Sequence, residues 1–499
     1  MPGKETACTL EKRKENGDLK EQSVKKNLFF QGLYQVLTLG IPLIITPYLT
    51  RTLGAEKLGI YTFIGSIATY FVIAANLGIS RHGQRAITAV SSDKVKLRKT
   101  FYGLWVDHTV FSLIAVLAYY GVTLWGIREN VVLYRIQGLV VISALLDVTW
   151  LFYGMENFGS VVIKNTIVRL VELVCIFSFV HSPEDLTKYT WIMMGSALLG
   201  QLIMIPQVLR TVKPIRISAS DCILHIKPIL VLSISVIAVS LYTVFDKTLL
   251  GFLLDMDSVA YYECANRIIG VPKALLGVVG TVLFPRVCKL AKENNDKLKE
   301  VFHLSFYYTG IIAIGFSVLV IAAARSFAPL FFGSGYEATS GIMVGLAPVI
   351  LIISLGDMVR TQLMISKHKD RQYIFCVVLN AIVNLALSFS LIPVWGIPGA
   401  VVGTVAAETC GLITETFFCR EDIAVRHSYG KLLPFCGIGL ISVAPALLLE
   451  RVLATSWVAL FAEAGITGFL YLVLSVLYLK CFRKEDIAVL YKIATKREE

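Results

Sequence analysis

Apolar residues in this chain come in long unbroken runs, not in the short alternations of a water-soluble domain. Fourteen runs of roughly twenty residues can be marked, at about 27–49, 59–79, 101–126, 131–154, 159–180, 189–209, 228–253, 258–284, 301–324, 340–365, 373–393, 398–419, 431–450 and 457–481. At about 1.5 Å of rise per residue, each spans a hydrocarbon layer about 30 Å thick. Lipid offers no partners for backbone N–H and C=O groups, so the runs must be helices. The pattern therefore predicts an all-α polytopic membrane protein of about fourteen transmembrane helices. The run at 258–284 is the most polar, with Glu263, Asn266, Arg267 and Lys273 inside it.

The connections carry the orientation. With the N-terminus inside, the cytoplasmic segments (Lys164 counted among them) hold about 35 Lys and Arg, against 6 in the external ones, which is the positive-inside bias. Both termini are expected in the cytoplasm. Residues 1–26 are charged and lack an apolar core segment. They read as a disordered basic tail, not a cleavable signal. A weak internal repeat aligns Leu58–Ile67 with Val259–Ile268, and Leu146-Asp147 with Gly356-Asp357. The offset is about six helices, an even number, so the repeat is parallel. It predicts a six-helix bundle over 27–210, a cytoplasmic linker over 211–227, a second bundle over 228–419, two added helices over 420–481 and a tail over 482–499.

Composition sharpens this. The chain has 499 residues, 56% apolar and 16% charged, with a mean hydropathy of +0.70. About 25% charged residues would be usual in a soluble domain. No connection reaches the length of a soluble catalytic domain, which argues against a membrane-bound glycosyltransferase or polymerase. The ten Cys and seven His are scattered singly, so neither a disulfide framework nor a metal site is expected. Phosphate-binding G-x-x-x-x-G-K-[ST] and H-E-x-x-H motifs do not occur. We expect no enzyme activity, no cofactor and no nucleic-acid partner. An energy source would have to be an ion gradient, the membrane potential or the substrate's own gradient.

The informative residues are the ionisable ones within the apolar runs. Each costs roughly 2.5–3.5 kcal/mol to insert, so each must pair, face a cavity or reach the interface. Arg169, Lys247, Arg267, Lys273 and Arg360 are the cationic candidates. Arg51 and the pair Arg81 and Arg85 stand at helix ends. Among the acids, Asp147, Glu156, Asp246 and Asp357 are candidates to handle an ion or face a sugar, and Trp150 shares a helix face with Asp147. For each, a bland role competes. Arg169–Glu172, Glu263–Arg267 and Asp357–Arg360 have the i,i+3 or i,i+4 spacing of structural ion pairs. Arg51 can cap carbonyls at a helix end, and topology alone accounts for Arg81 and Arg85. Asp246 and Lys247 are adjacent, so they diverge around the helix and cannot simply neutralise each other. Gly399-x-x-x-Gly403 reads as a close-packing motif. Tyr61, Tyr153, Tyr242, Tyr261 and Tyr262 are candidates to stack on sugars.

Three stretches resemble a known family. Tyr48, Thr50-Arg51, Gly54, Gly59, Tyr61, Ser66-Ile67, Leu77-Gly78-Ile79 and Gly83-x-Arg85 look like the first hairpin of bacterial polysaccharide flippases, the Wzx-type branch of the MOP superfamily. Leu146-Asp147-x-x-Trp150-x-Phe152-x-Gly154-x-Glu156-x-Phe158 is similar to the end of their fourth helix. Asp246-Lys247 through Gly251, followed by Val259-Ala-Tyr261-Tyr262, is similar to their seventh and eighth helices. The resemblance implies two six-helix bundles plus two helices in the bacterial inner membrane. It also implies alternating access, with an undecaprenyl-diphosphate-linked oligosaccharide as cargo and H⁺ or Na⁺ coupling left open. A polysaccharide polymerase and a chain-length regulator are the implied protein partners. A lipid II flippase and, more distantly, a drug/cation antiporter share the architecture and remain the alternatives.

Overall fold

The computed structural model describes residues 3–293, 295–423 and 425–483. Side chains are described from residue 37 onward, apart from positions 235, 241–242, 285, 294, 424–427, 451 and those beyond 483. Among the described residues the secondary structure is helical, without strands. In chain order the helices are α1 (Gly3–Asn76), α2 (Ile79–Val90), α3 (Lys94–Trp125), α4 (Val131–Leu145), α5 (Thr149–Gly154), α6 (Phe158–Phe179), α7 (Leu186–Leu202), α8 (Ile205–Thr211) and α9 (Ala219–Leu253). They continue with α10 (Met256–Glu293), α11 (Asn295–Phe332), α12 (Glu337–Val359), α13 (Asp370–Trp395), α14 (Ile397–Phe418), α15 (Val425–Gly430), α16 (Leu433–Val452) and α17 (Trp457–Phe482).

Twelve helical stretches among the described residues are long and apolar enough to cross a membrane. The difference from fourteen has two sources. The first two expected helices run together in α1, which is interrupted only by the non-helical Gly54 at φ 79° and ψ 173°. A side chain at that φ would be strained, so glycine is the residue that permits the kink. The fifth, α6, carries Lys164, Arg169 and Glu172 and is too charged to qualify on hydropathy. Residues 3–26, expected as a disordered tail, form the first turns of α1. Their many Lys and Glu are good helix formers. The tail expected over 482–499 lies almost wholly outside the described residues.

The chain divides into two compact units. The first comprises residues up to Leu53 and Ile64–Ile237; the second comprises Gly54–Phe63 and Ala238 onward. In the first unit, Leu77 at φ 39° ends α1, so α2 is a separate short helix and not the tail of the preceding span. Its buried residues Ile79, Gly83 and Ile87 recur every four positions, which makes one apolar face. The core beneath that face is built from Phe101, Trp150, Leu151, Phe152 and Met204. Trp150 stacks on Phe101 at 5.4 Å, and a Cβ at Gly83 would come within 2.8 Å of its ring.

The second unit has its own core around Phe302, Phe306, Met358, Phe435 and Tyr471. Here Gly399 and Gly403 act as their spacing predicts. A Cβ at Gly399 would meet the Leu391 backbone at 2.5 Å, and one at Gly403 would meet Ser388 Oγ at 2.7 Å. The two glycines let α13 and α14 approach at backbone distance, which positions the site described next. Large apolar side chains also cover outward faces, among them Leu113, Ile114 and Leu117 of α3 and Phe461, Phe469 and Leu472 of α17. Such faces suit lipid.

Candidate functional site

The second unit gathers most of the intramembrane charge. At its α9–α10 end, Glu263 accepts from two cations at once. Arg267 Nε lies 2.9 Å from Oε1 and Lys247 Nζ lies 2.5 Å from Oε2. The i,i+4 spacing on α10 brings Arg267 over Glu263, and the hairpin between α9 and α10 supplies Lys247. One carboxylate therefore serves two cations, and a net positive charge remains. The Lys247 and Arg267 side chains are 24% and 35% exposed, so both cations are still reachable.

Ten residues along α10, about 15 Å by helical rise, comes Lys273. It makes no ion pair with a described residue, and its attractive electrostatic neighbours are Glu408 and Asp357. At the far end Arg360 is shared by two acids: Nη1 lies 2.9 Å from Asp357 and Nε lies 2.9 Å from Glu415. There the imbalance is reversed, with two carboxylates to one guanidinium. A polar track thus runs through one unit from cation-rich to anion-rich.

Asp246 turns the other way from Lys247, as adjacency on a helix requires. Its carboxylate accepts from Ser388 at 2.7 Å, Thr404 at 2.8 Å and Tyr262 at 2.9 Å. Ser388 and Thr404 converge on it because Gly403 brings α13 and α14 together. Asp246 is 3% exposed and is held by three hydroxyls, not by a cation.

A family model described as "Polysaccharide biosynthesis protein" matches residues 24–291, more than half of the chain. The chain belongs to this family. A second model, "Lipid II flippase MurJ", matches residues 170–474. Among curated relatives of this family member, a putative O-antigen transporter of Escherichia coli (strain K12) is 23% identical over 80% of this chain and 97% of its own length. Another, from Shigella dysenteriae, is 24% identical over 77% and 97%. A probable low-salt glycan biosynthesis flippase of Haloferax volcanii is 21% identical over about half of each chain. The fold is similar to that of a solved lipid II flippase in an inward closed conformation, with a TM-score of 0.73, 14% identity, and 91% and 98% of the two chains covered. It is also similar to an inward-facing multidrug MATE family transporter, with a TM-score of 0.59, 15% identity, and 78% and 94% covered.

Not every residue singled out in this family member's sequence joins the cluster. Trp150 is 1% exposed and donates its indole N–H to the Asp147 carbonyl. It fills the core and does not face a sugar, because the short helix α5 turns its ring onto Phe101. Asp147 precedes α5 and accepts from the backbone N–H and the hydroxyl of Thr149 at 2.9 and 2.7 Å. Glu156 is exposed in the α5–α6 turn at φ 58°. Arg51 donates to the Pro47 carbonyl, one turn back on α1, at 3.0 Å. Arg81 and Arg85 are exposed on the polar face of α2. Arg169 pairs with the buried Glu172 at 2.8 Å in the first unit. Of the tyrosines, Tyr262 is a buried partner of Asp246, Tyr261 packs edge-on against Tyr336 at 5.4 Å, and Tyr242 lies outside the described side chains.

The sequence reading missed two groups. His108 is fully buried with neither ring nitrogen partnered, and no local pattern marks it. Lys164, expected among the cytoplasmic cations, is 8% exposed within α6. Its signal was available: Lys164, Val168 and Glu172 are spaced by four, so they share one helix face.

Proposed function

We propose that this chain carries an undecaprenyl-diphosphate-linked oligosaccharide from the inner to the outer leaflet of the bacterial cytoplasmic membrane. The cargo would feed a capsule, exopolysaccharide or O-antigen-type surface polysaccharide. The observation that carries the reading is the Lys247–Glu263–Arg267 group. Two partly exposed cations share one carboxylate, leaving positive charge in a low-dielectric setting where a diphosphate needs cover. The names of the O-antigen transporter relatives support the same cargo class.

In this reading the headgroup enters from the cytoplasmic side, the two bundles rock, and the lipid tail stays in the bilayer. Translocation needs no covalent chemistry. Fourteen membrane passes with both termini cytoplasmic accommodate the Lys and Arg bias. Asp246, with its hydroxyl partners, and Asp357 are the acids through which H⁺ or Na⁺ would couple to the movement. A polymerase and a chain-length regulator would receive the product.

A lipid II flippase is the second reading, favoured by the family model over residues 170–474. The test is leaflet-resolved lipid analysis in a strain lacking the gene. Accumulation of a diphosphate-linked oligosaccharide facing the cytoplasm, cleared when the gene is restored, is the expected result. The headgroup mass separates an oligosaccharide repeat unit from a peptidoglycan precursor. Accumulation of neither, with new sensitivity to cationic dyes, would overturn both flippase readings.

A further inference from the structure

The first unit contains a polar cavity that the proposed diphosphate contacts do not use. It lies among α4, α6 and α7, has a volume of about 240 Å³, and is lined by Lys164, Asn165, Arg169, Glu172, Ser196 and Gln201 among others. A single water needs only about 10–15 Å³ of such space, so the cavity has room for a ligand of many atoms.

Its charges are not balanced internally. Glu172 is committed to Arg169 at 2.8 Å. Lys164 is 8% exposed and makes no hydrogen bond or ion pair with a described residue. The acid that acts on it is Asp147, one of whose oxygens is already held by Thr149 at the start of α5. An ammonium buried this deeply without a bonded counter-ion is costly, and the cavity is where a counter-ion can sit.

The neutral groups say what else the ligand carries. The Gln201 side-chain oxygen is buried without a donor among the described residues. An ionised carboxylate oxygen cannot donate to it, whereas a hydroxyl can. Lys164 calls for an anionic oxygen, and Gln201, on the same cavity, calls for a hydroxyl hydrogen. We propose that this cavity binds one acidic sugar ring of the cargo, with its carboxylate on Lys164 and a ring hydroxyl on Gln201. The proposal rests on the flippase reading for its biological ligand but not for its test.

The test uses saturation-transfer NMR on the full-length protein in nanodiscs, with sodium glucuronate, glucose and sodium acetate as probes. Glucuronate should give transfer, glucose little, and an equal concentration of acetate, an anion without a hydroxyl, should not displace glucuronate. Lys164→Met should cut the glucuronate signal at least about tenfold, the equivalent of losing one charge-assisted hydrogen bond. Gln201→Leu, which keeps the lysine, should lower glucuronate binding less and leave acetate unaffected. Glucuronate binding unchanged in Lys164→Met would overturn the proposal, as would displacement by acetate, and so would absence of glucuronate transfer from a folded protein that still flips its lipid. Loss of flipping in the gene-deletion assay is a separate outcome: it bears on the proposed function and leaves the binding result standing.

Discussion

Arg267→Ala is the most informative single change, because the geometry separates its effect on stability from its effect on transport. The guanidinium Nε lies 2.9 Å from Glu263, and the side chain is 35% exposed. A charge-assisted hydrogen bond contributes about 1.5–3 kcal/mol, and solvent screening at this exposure brings that to about 1–2 kcal/mol. The larger penalty of about 3–5 kcal/mol for stranding a buried charge does not apply, since Lys247 still holds the other Glu263 oxygen at 2.5 Å. The variant should therefore insert and fold, with a modest fall in thermal midpoint. Transport should fall much further. Removing Arg267 takes the local charge from net positive to neutral. Losing about 2 kcal/mol of diphosphate stabilisation slows the step roughly 30-fold. The assay is cytoplasmic-leaflet accumulation of the lipid-linked cargo, with thermal unfolding of the purified variant alongside. Arg267→Lys should recover part of the rate, because a single ammonium keeps the charge but loses the guanidinium fork. Normal flipping by Arg267→Ala would mean that the pair is only structural and that α10 does not present the phosphate site.

Gly403→Val would place a branched side chain where a Cβ already lies 2.7 Å from Ser388 Oγ and 3.2 Å from its backbone nitrogen; overpacking should cost about 1–3 kcal/mol, measurable as a lowered unfolding midpoint, and should weaken the hydroxyl shell of Asp246. Trp150→Ala should destabilise by about 3–5 kcal/mol, since the ring is 1% exposed and leaves a cavity; the folded fraction should bind cargo with unchanged affinity, and a selective loss of sugar affinity would contradict its core assignment. Asp93 accepts from the backbone N–H groups of Val95 and Lys96 at the start of α3, and those bonds hold its carboxyl below the usual carboxylate range. The cap's contribution is complete above the ordinary carboxylate pKa and is lost as pH falls through the depressed value. Hydrogen exchange should show the first turn of α3 fraying at low pH, and Asp93→Ala should fray it at every pH.

Much of this molecule is legible along the chain because lipid is an unforgiving solvent. Every apolar run must be a helix, so the all-helical class and approximate bounds follow from hydropathy. The close-packing role of Gly399 and Gly403 and the pairings Arg169–Glu172, Glu263–Arg267 and Asp357–Arg360 follow from helical periodicity, which is a local property. Breaks that depend on a few backbone angles are not local in that sense. The sequence reads 131–154 as one helix, whereas the chain breaks after Leu145 and restarts at Thr149, and it reads 59–79 as a complete span, whereas Leu77 ends it early. What a charged residue does is still less local. Lys247 and Glu415 acquire their partners from other helices, at positions no spacing rule connects. Trp150 and Lys164 both depart from their expected roles, the aromatic going to the core and the lysine to a cavity, because the faces of α5 and α6 are set by packing against Phe101 and α7. The sequence by itself determined that charges had to be sheltered within the membrane; only the tertiary structure decided which cation shelters beside which acid, since that depends on the approach of helices far apart in the chain.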